Sequence, residues 1–444
     1  MIDCAVILAG GKGTRLASVA ASVPKVLVPV GGRPVLAHQL ELLMAAGYKD
    51  VRIFAGHLAE QIQDFIKAGN WGDLNIQIEI ESTPLGSAGA VIEKLDSLPE
   101  QFTVLYGDTM LAIDLERMTA FHSAHDADVT ILVHPNDHPF DSDLVEANAE
   151  GLVTGLHSYP HPGTACYRNM VSAALYVVRR ESLRTWAAQA KKCDFAKNVF
   201  PSLLASGGRL FAYHSHEYIK DMGTPDRLAK VEKDLLAGRI RLGRDSAPSP
   251  VVFLDRDGTL NVENGHIRAP GQLQLLPQVA ESLKKLREAG YRLSVITNQP
   301  VIARGEASEE DVAAVHRKLE WELGLKGVFI DALFYCPHHP DSGFPGERPE
   351  LKVVCNCRKP AIGMFEKACA ELPVDISRSW MIGDTTLDLE FARRAGLRSI
   401  LVETGNGGRD GRFPGAVPDF TARGLMEAAD IIIQSQVTTA LLEA

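Results

Sequence analysis

Apolar residues fall along this chain in two rhythms. Short unbroken apolar runs alternate with longer segments in which apolar residues recur every third or fourth position. The runs predict buried strands and the segments amphipathic helices, so the alternation predicts an α/β protein with mainly parallel sheets. In the first half the runs fall at Cys4–Leu8, Val51–Ala55, Phe102–Tyr106, Val129–Val133, Ala173–Val178 and Arg209–Tyr213. Helices are expected over Pro34–Ala46, with Gly47 as the residue that ends it, and over Pro225–Leu236. The Pro- and Ser-rich stretch Gly243–Pro250 cannot continue a helix, and a new strand, Val251–Leu254, follows at once. The second half then predicts a helix over Gln278–Ala289, a strand over Arg292–Ile296, and a helix over Val312–Leu323 capped by Ser308 and Asp311. Residues 1–243 and 250–436 are therefore expected to be two domains, with 244–249 as the linker.

A length of 444 residues is ample for two cores. The net charge of -10 argues against a nucleic-acid binder, which would carry a basic face. It leaves phosphorylated small molecules open, because a few local Arg and Lys residues are enough to hold them. No apolar run approaches the ~18 residues that cross a bilayer, and the N-terminus lacks the marks of a signal peptide, so a cytoplasmic location is expected. Of the seven cysteines, Cys336, Cys355 and Cys357 crowd together, which is metal-ligand clustering rather than a disulfide framework.

The first strand runs into Gly10-Gly11-Lys12-Gly13-Thr14-Arg15-Leu16. Glycines let backbone N–H groups reach phosphate oxygens, and Arg15 can add a two-pronged grip. Pro24-Lys25-Val26-Leu27 follows within one loop length. The pair of motifs resembles the sugar-nucleotide pyrophosphorylases. That resemblance implies a sugar-1-phosphate nucleotidyltransferase domain of GT-A-like, Rossmann-like fold, which takes a nucleoside triphosphate and a sugar phosphate. It makes Gly10, Gly11, Gly13 and Thr14 the phosphate cradle, Lys25 and Arg15 catalytic, and Glu81 and Gly86 part of the segment beside base and sugar. Asp108, after the strand Phe102–Tyr106, and Asp221 would hold Mg²⁺ on the α-phosphate. One departure stands out: the Glu-Lys pair that grips the sugar phosphate in many relatives is replaced by Leu156-His157-Ser158, with Arg168, His157 and Lys220 as candidate substitutes.

In the second half the strand Val251–Leu254 ends in Asp255-Arg256-Asp257-Gly258-Thr259. Two acids two apart allow one to attack phosphorus and the other to protonate the leaving alcohol. Thr297-Asn298 after a later strand, Arg358-Lys359, and Gly383-Asp384 with Asp388 follow in order. The set resembles the haloacid dehalogenase superfamily. It implies Asp255 as nucleophile and Asp257 as acid and base. Mg²⁺ would be held by Asp255, the Asp257 carbonyl and Asp384, and substrate by Thr297, Asn298, Arg304, Arg358 and Lys359. Cys336-Pro-His338 and Cys355-Asn-Cys357 form a Cys₃His set suited to structural zinc, with His339 as a competing ligand. Zinc with Thr297-Asn-Gln-Pro-Val-Ile-Ala-Arg304-Gly305 resembles the heptose bisphosphate phosphatases, with histidinol-phosphate phosphatases as cousins.

Together the resemblances imply two Rossmann-like domains on one chain and consecutive steps of nucleotide-sugar synthesis. The phosphatase would remove the 7-phosphate of D-glycero-D-manno-heptose 1,7-bisphosphate. The transferase would then join heptose 1-phosphate to a nucleotide, with GTP as the expected donor. Open alternatives are a phosphatase for another sugar phosphate or histidinol phosphate, and a first domain that only senses nucleotide sugar. Self-association is left open.

Overall fold

The computed structural model describes residues 2–11, 16, 22–162, 166–187, 192–240 and 248–443. The chain forms two compact units. The first comprises Met1–His134, Asp141–His161 and Met170–Asp245, and the second Pro135–Phe140, Pro162–Asn169 and Ser246–Ala444. The two expected contiguous domains thus differ from these units in two short segments of the first half, which group with the second unit. Most of the expected linker, 244–247, lies outside the described residues.

In the first unit β1 (Cys4–Ala9), β2 (Asp50–Ala55), β3 (Asn75–Ile80) and β4 (Gln101–Tyr106) pair in parallel, with β1 between β2 and β4. After them come β5 (Thr109–Ala112), β6 (Val129–His134), β7 (Leu144–Ala147), β8 (Val153–His157), β9 (Val171–Arg179), β10 (Leu210–His214) and β11 (Tyr218–Asp221). β9 runs antiparallel to β4 and extends the sheet to β7 and β8; it also pairs with β6, which holds β10. β5 and β11 form a separate antiparallel ribbon. Side chains alternate across each strand. Cys4 and Val6 of β1 therefore enter a core with Val104, Tyr176 and Phe200, while Ala5 and Ile7 enter another with Leu36, Leu40 and Leu43 of the helix Val35–Ala45.

In the second unit β12 (Val251–Leu254), β13 (Arg292–Asn298), β14 (Ala332–Cys336), β15 (Trp380–Gly383), β16 (Arg398–Val402) and β17 (Phe420–Ala422) form one parallel sheet. Its order is β14-β13-β12-β15-β16-β17. Val252 and Leu254 face one core, Val251 and Phe253 the other. Helices thus cover both faces, which is why β12 reads as an unbroken apolar run. The order reverses at β12, so the crevice beyond its C-terminal end is where such a sheet accepts a ligand. The helix Glu309–Leu325 starts earlier than its apolar pattern suggests. Ser308 Oγ accepts from the Asp311 N–H at 3.1 Å and Asp311 Oδ2 accepts from the Ser308 N–H at 2.8 Å, closing a capping box around an acidic first turn. The last helix, Leu425–Glu443, continues past the expected domain end at 436. Among the described residues no helix is long and apolar enough to cross a membrane.

Candidate active sites

Asp255 follows β12 and Asp384 follows β15. Leu254 pairs with Ile382 in adjacent strands, so the two acids emerge side by side. Asp388 joins them from the first turn of the helix Thr386–Ala395, and the three carboxylates offer oxygens within 4.8 Å of one another. Gly258 permits this approach: its φ is +77°, and a Cβ there would stand 2.2 Å from Asp384 Oδ2. Lys359 Nζ reaches Asp255 Oδ1 at 2.9 Å and Asp388 Oδ1 at 2.6 Å. Thr385 fixes the other oxygen of Asp388 through its hydroxyl at 2.5 Å and its N–H at 3.2 Å. The backbone N–H and side-chain amide of Asn406 donate to Asp384 Oδ2 at 2.6 and 3.1 Å. Burial, more than the neighbouring acids, pushes Asp255 up to about 8, with Lys359 opposing. Burial and Asp388 push Asp384 up to about 6 against the pull of Asn406. Burial opposes the charge on Lys359, but Asp255 and Asp388 outweigh it and raise its pKa. A hard, all-oxygen site with more negative than positive charge fits Mg²⁺.

Asp257 stands apart from this carboxylate group. Arg256 grips both its oxygens, and Asn261 and Gln299 donate to it at 2.9 and 3.0 Å. Of the expected substrate contacts, Thr297 Oγ1 accepts from Gln299 Nε2 at 3.0 Å. Asn298 braces Lys359: its Oδ1 accepts from the Lys359 N–H at 3.0 Å and its Nδ2 donates to the Lys359 carbonyl at 3.2 Å. Arg304 lies over the Phe344 ring at 4.3 Å and donates to His266 Nε2 and His339 Nε2 at 3.2 and 3.1 Å. Arg358 donates to the His338 carbonyl at 3.1 Å, tying the active-site lysine's neighbour to the cysteine loop.

That loop brings Cys336, His338, Cys355 and Cys357 together. The Cys336, Cys355 and Cys357 sulfurs lie 3.2–3.6 Å apart, and His338 Nδ1 is 3.2 Å from Cys357 Sγ. Ligand atoms on a tetrahedral zinc with bonds of about 2.3 Å would stand ~3.8 Å apart, so small adjustments admit the ion. Burial and the adjacent Cys357 thiol push the Cys336 pKa far up, whereas at Cys355 burial is outweighed by hydrogen bonds with Cys357 and Cys336 and the pKa is lowered. His339 is outside the set and bonds Arg304 instead.

In the first unit, Asp108 follows β4 and Asp221 ends β11. The β5–β11 register pairs Asp221 with Thr109, and the Met222 N–H donates to the Asp108 carbonyl at 2.9 Å, so the fold brings the two acids' backbones together. Lys25 forms an ion pair with Asp108. Gly107 allows it: a Cβ there would meet Val26 at 2.4 Å and the Leu8 carbonyl at 3.0 Å. Asp221 is held by Arg227 at 2.9 Å and by the Gly223 N–H at 3.1 Å. Glu81 packs against Gly10, and its burial raises its pKa. Gly86 opens the helix Gly86–Glu93, whose Ser87, Ala88 and Gly89 N–H groups are taken by Asp194 and the Cys193 carbonyl. His157 pairs with Glu146 at 3.2 Å. Arg168 groups with the second unit. Gly13, Thr14 and Arg15 lie outside the described residues.

Residues 4–238 match the nucleotidyl transferase family. The chain belongs to that family. Residues 356–428 match the HAD-hydrolase-like family. The D-glycero-beta-D-manno-heptose-1,7-bisphosphate 7-phosphatase of Yersinia pestis is 39% identical over 157 residues, 35% of this chain and 81% of that protein. Its counterpart in Escherichia coli strain K12 is 37% identical, over 35% of this chain and 80% of its own length. Among solved structures, HddC from Yersinia pseudotuberculosis is 25% identical and covers 53% of this chain and 100% of its own, with a TM-score of 0.46. The D,D-heptose 1,7-bisphosphate phosphatase of B. bronchiseptica, complexed with magnesium and phosphate, is 31% identical over 42% of this chain and 99% of its own, with a TM-score of 0.37. A nucleotidyl transferase and a phosphatase therefore share one chain. Asn406, Arg256 and His316 are the structural partners that the sequence motifs did not single out.

Proposed function

We propose that the phosphatase half removes the 7-phosphate of D-glycero-D-manno-heptose 1,7-bisphosphate and that the transferase half converts the resulting heptose 1-phosphate to a nucleotide-heptose, with GTP as donor. The observation that carries the reading is the presence of two acid centres, one in each unit and each built at strand ends, in a chain related to heptose bisphosphate phosphatases. GTP follows from the resemblance to heptose 1-phosphate guanylyltransferases. Such an enzyme works in the cytoplasm, where its thiols stay reduced.

In the phosphatase, an Asp255 oxygen forms a bond to phosphorus while the bond from phosphorus to the C7 oxygen breaks. Asp257 relays to that oxygen a proton from the bound phosphate monoanion, and later takes one from the water that hydrolyses the aspartyl-phosphate. Lys359 neutralises Asp255 and Asp388, and the Thr297 hydroxyl faces the transferred group. Mg²⁺ held by Asp255, Asp384 and the Asp257 carbonyl would offset charge on the phosphoryl oxygens. In the transferase, a sugar-1-phosphate oxygen attacks the α-phosphorus in line and pyrophosphate leaves. The work of Lys25, Arg15 and the loop of Gly10, Gly11, Gly13 and Thr14 is to place and neutralise phosphates. Asp108 and Asp221 are the acids that fit Mg²⁺ there. The Cys₃His set fits zinc with every ligand position filled by protein, which is a structural role.

The test supplies heptose 1,7-bisphosphate, histidinol phosphate and other sugar phosphates in turn, each with every nucleoside triphosphate. Phosphate release best from the heptose bisphosphate, followed by pyrophosphate best with GTP, is the expected result. Pyrophosphate from no combination would reduce the first half to a nucleotide-sugar-binding module.

A further inference from the structure

Arg256 is fully buried, and its partners describe a device rather than a random packing of charge. Its Nη2 donates to both oxygens of Asp257 at 2.9 and 2.8 Å, and its Nε donates to Oδ1 at 3.1 Å. The same Nη2 donates to Gln299 Oε1 at 3.1 Å. Its Nη1 points away, to His316 Nε2 at 3.1 Å on the helix Glu309–Leu325. Burial and the Arg256 charge both hold His316 well below its ordinary pKa, so the ring is neutral and accepts this bond. Gln299 closes the loop: its Nε2 donates to Asp257 Oδ2 and to Thr297 Oγ1, both at 3.0 Å.

A buried guanidinium is expensive unless a charge meets it, and Asp257 is the carboxylate paired with Arg256. A planar fork gripping both carboxylate oxygens fixes rotation about the carboxylate's last bond, which a lysine's single point charge does not. Gln299 then couples that orientation to the Thr297 hydroxyl at the end of β13. We propose that Arg256, backed by His316 and tied through Gln299 to Thr297, is the positioning residue that aims the Asp257 carboxyl at the leaving oxygen. The inference rests on the reading of Asp257 as the acid of the first step. In that step the Asp255–phosphorus bond forms, the phosphorus–oxygen bond to the alcohol breaks, and the proton that the bound phosphate monoanion has passed to the Asp257 carboxylate moves to the departing oxygen. The aim of the donor matters when the leaving oxygen is basic and matters little when it is not.

The test therefore compares leaving groups. The burst of alcohol or phenol release is measured by rapid mixing for heptose 1,7-bisphosphate, a poor alkoxide leaving group, and for p-nitrophenyl phosphate, a good one. General acid catalysis is worth about 10²–10⁴-fold, so Arg256→Met should slow the alkyl substrate by roughly 10²-fold and the aryl substrate by only a few-fold. Arg256→Lys should restore little of the difference. His316→Leu should show a smaller selective loss that His316→Gln, which keeps an acceptor, reverses. Gln299→Leu serves if Arg256→Met does not fold. Asp257→Asn sets the reference. If Asp257→Asn slows both substrates equally, the acid assignment itself fails. If Asp257→Asn is selective but folded Arg256, His316 and Gln299 variants slow both substrates equally, the positioning role is overturned.

Discussion

In the transferase half each acid meets a cation: Lys25 meets Asp108, and Arg227 meets Asp221 while also holding Asp141 at 2.7 Å. Both acids are partly open, at 27% and 34% exposed. At the phosphatase centre three carboxylates crowd around one ammonium, with Lys359 at 2% and Asp388 at 0% exposed. Acids that already meet cations at a partly open site have charges that an incoming triphosphate can rearrange. An excess of buried carboxylates favours a bound cation. The second centre's own charges thus favour a cation more strongly than the paired acids of the first do.

The largest expected effect separates the units by metal. Structural zinc contributes on the order of 10 kcal/mol or more in small domains. Cys357→Ser, or chelation under reducing conditions, should unfold the phosphatase half and abolish phosphate release, while pyrophosphate release survives. Metal content and thermal melts of the purified protein check it, and wild type without stoichiometric zinc would contradict it. Next, Lys25→Met should lower pyrophosphate release by roughly 10²–10³-fold, the scale of losing one preorganised charge contact at a reacting phosphate, with phosphate release unchanged.

A third difference is acid sensitivity. His122 is buried against Thr130, and burial lowers its pKa to about 4. A base with a depressed folded pKa contributes stability that is present above its unfolded value near 6.5 and lost as pH falls towards 4. The first unit should lose on the order of 3 kcal/mol across that window. His122→Gln should flatten the dependence, and unchanged acid melting curves in that variant would dismiss it. The smallest effect is Asn406→Ala. Removing a partner of a metal ligand weakens metal binding about 10–100-fold, so this variant should need more Mg²⁺ for half-maximal phosphate release and recover at saturation.

Much of the second centre was legible because its acids sit where apolar strands stop, and strand ends are the most readable feature of a buried parallel sheet. Val251–Leu254 coincides with β12, Asp255 and Asp384 stand just past β12 and β15, and Thr297, expected after its strand, is the next-to-last residue of β13. Asn406 escaped because it lies in a glycine-rich loop, where only the fold carries it to Asp384. Arg256 was visible between the two acids, but its buried fork onto Asp257 requires His316, 60 residues away. In the first unit β3 was missed although Asn-Ile-Gln-Ile-Glu-Ile alternates, because its outward residues are polar and no apolar run marks it. β7 and β8 are four and five residues long and pair antiparallel, too short for any period to emerge.

The central claim is that two independent active centres act in order on one substrate stream. The direct measurement supplies Asp255→Asn with Mg²⁺, GTP and either heptose 1,7-bisphosphate or heptose 1-phosphate, and follows phosphate and pyrophosphate. The variant should release neither product from the bisphosphate, yet release pyrophosphate at the wild-type rate from heptose 1-phosphate. Loss of pyrophosphate release from heptose 1-phosphate in the folded variant, with wild type active on the same sugar, would contradict two separate centres.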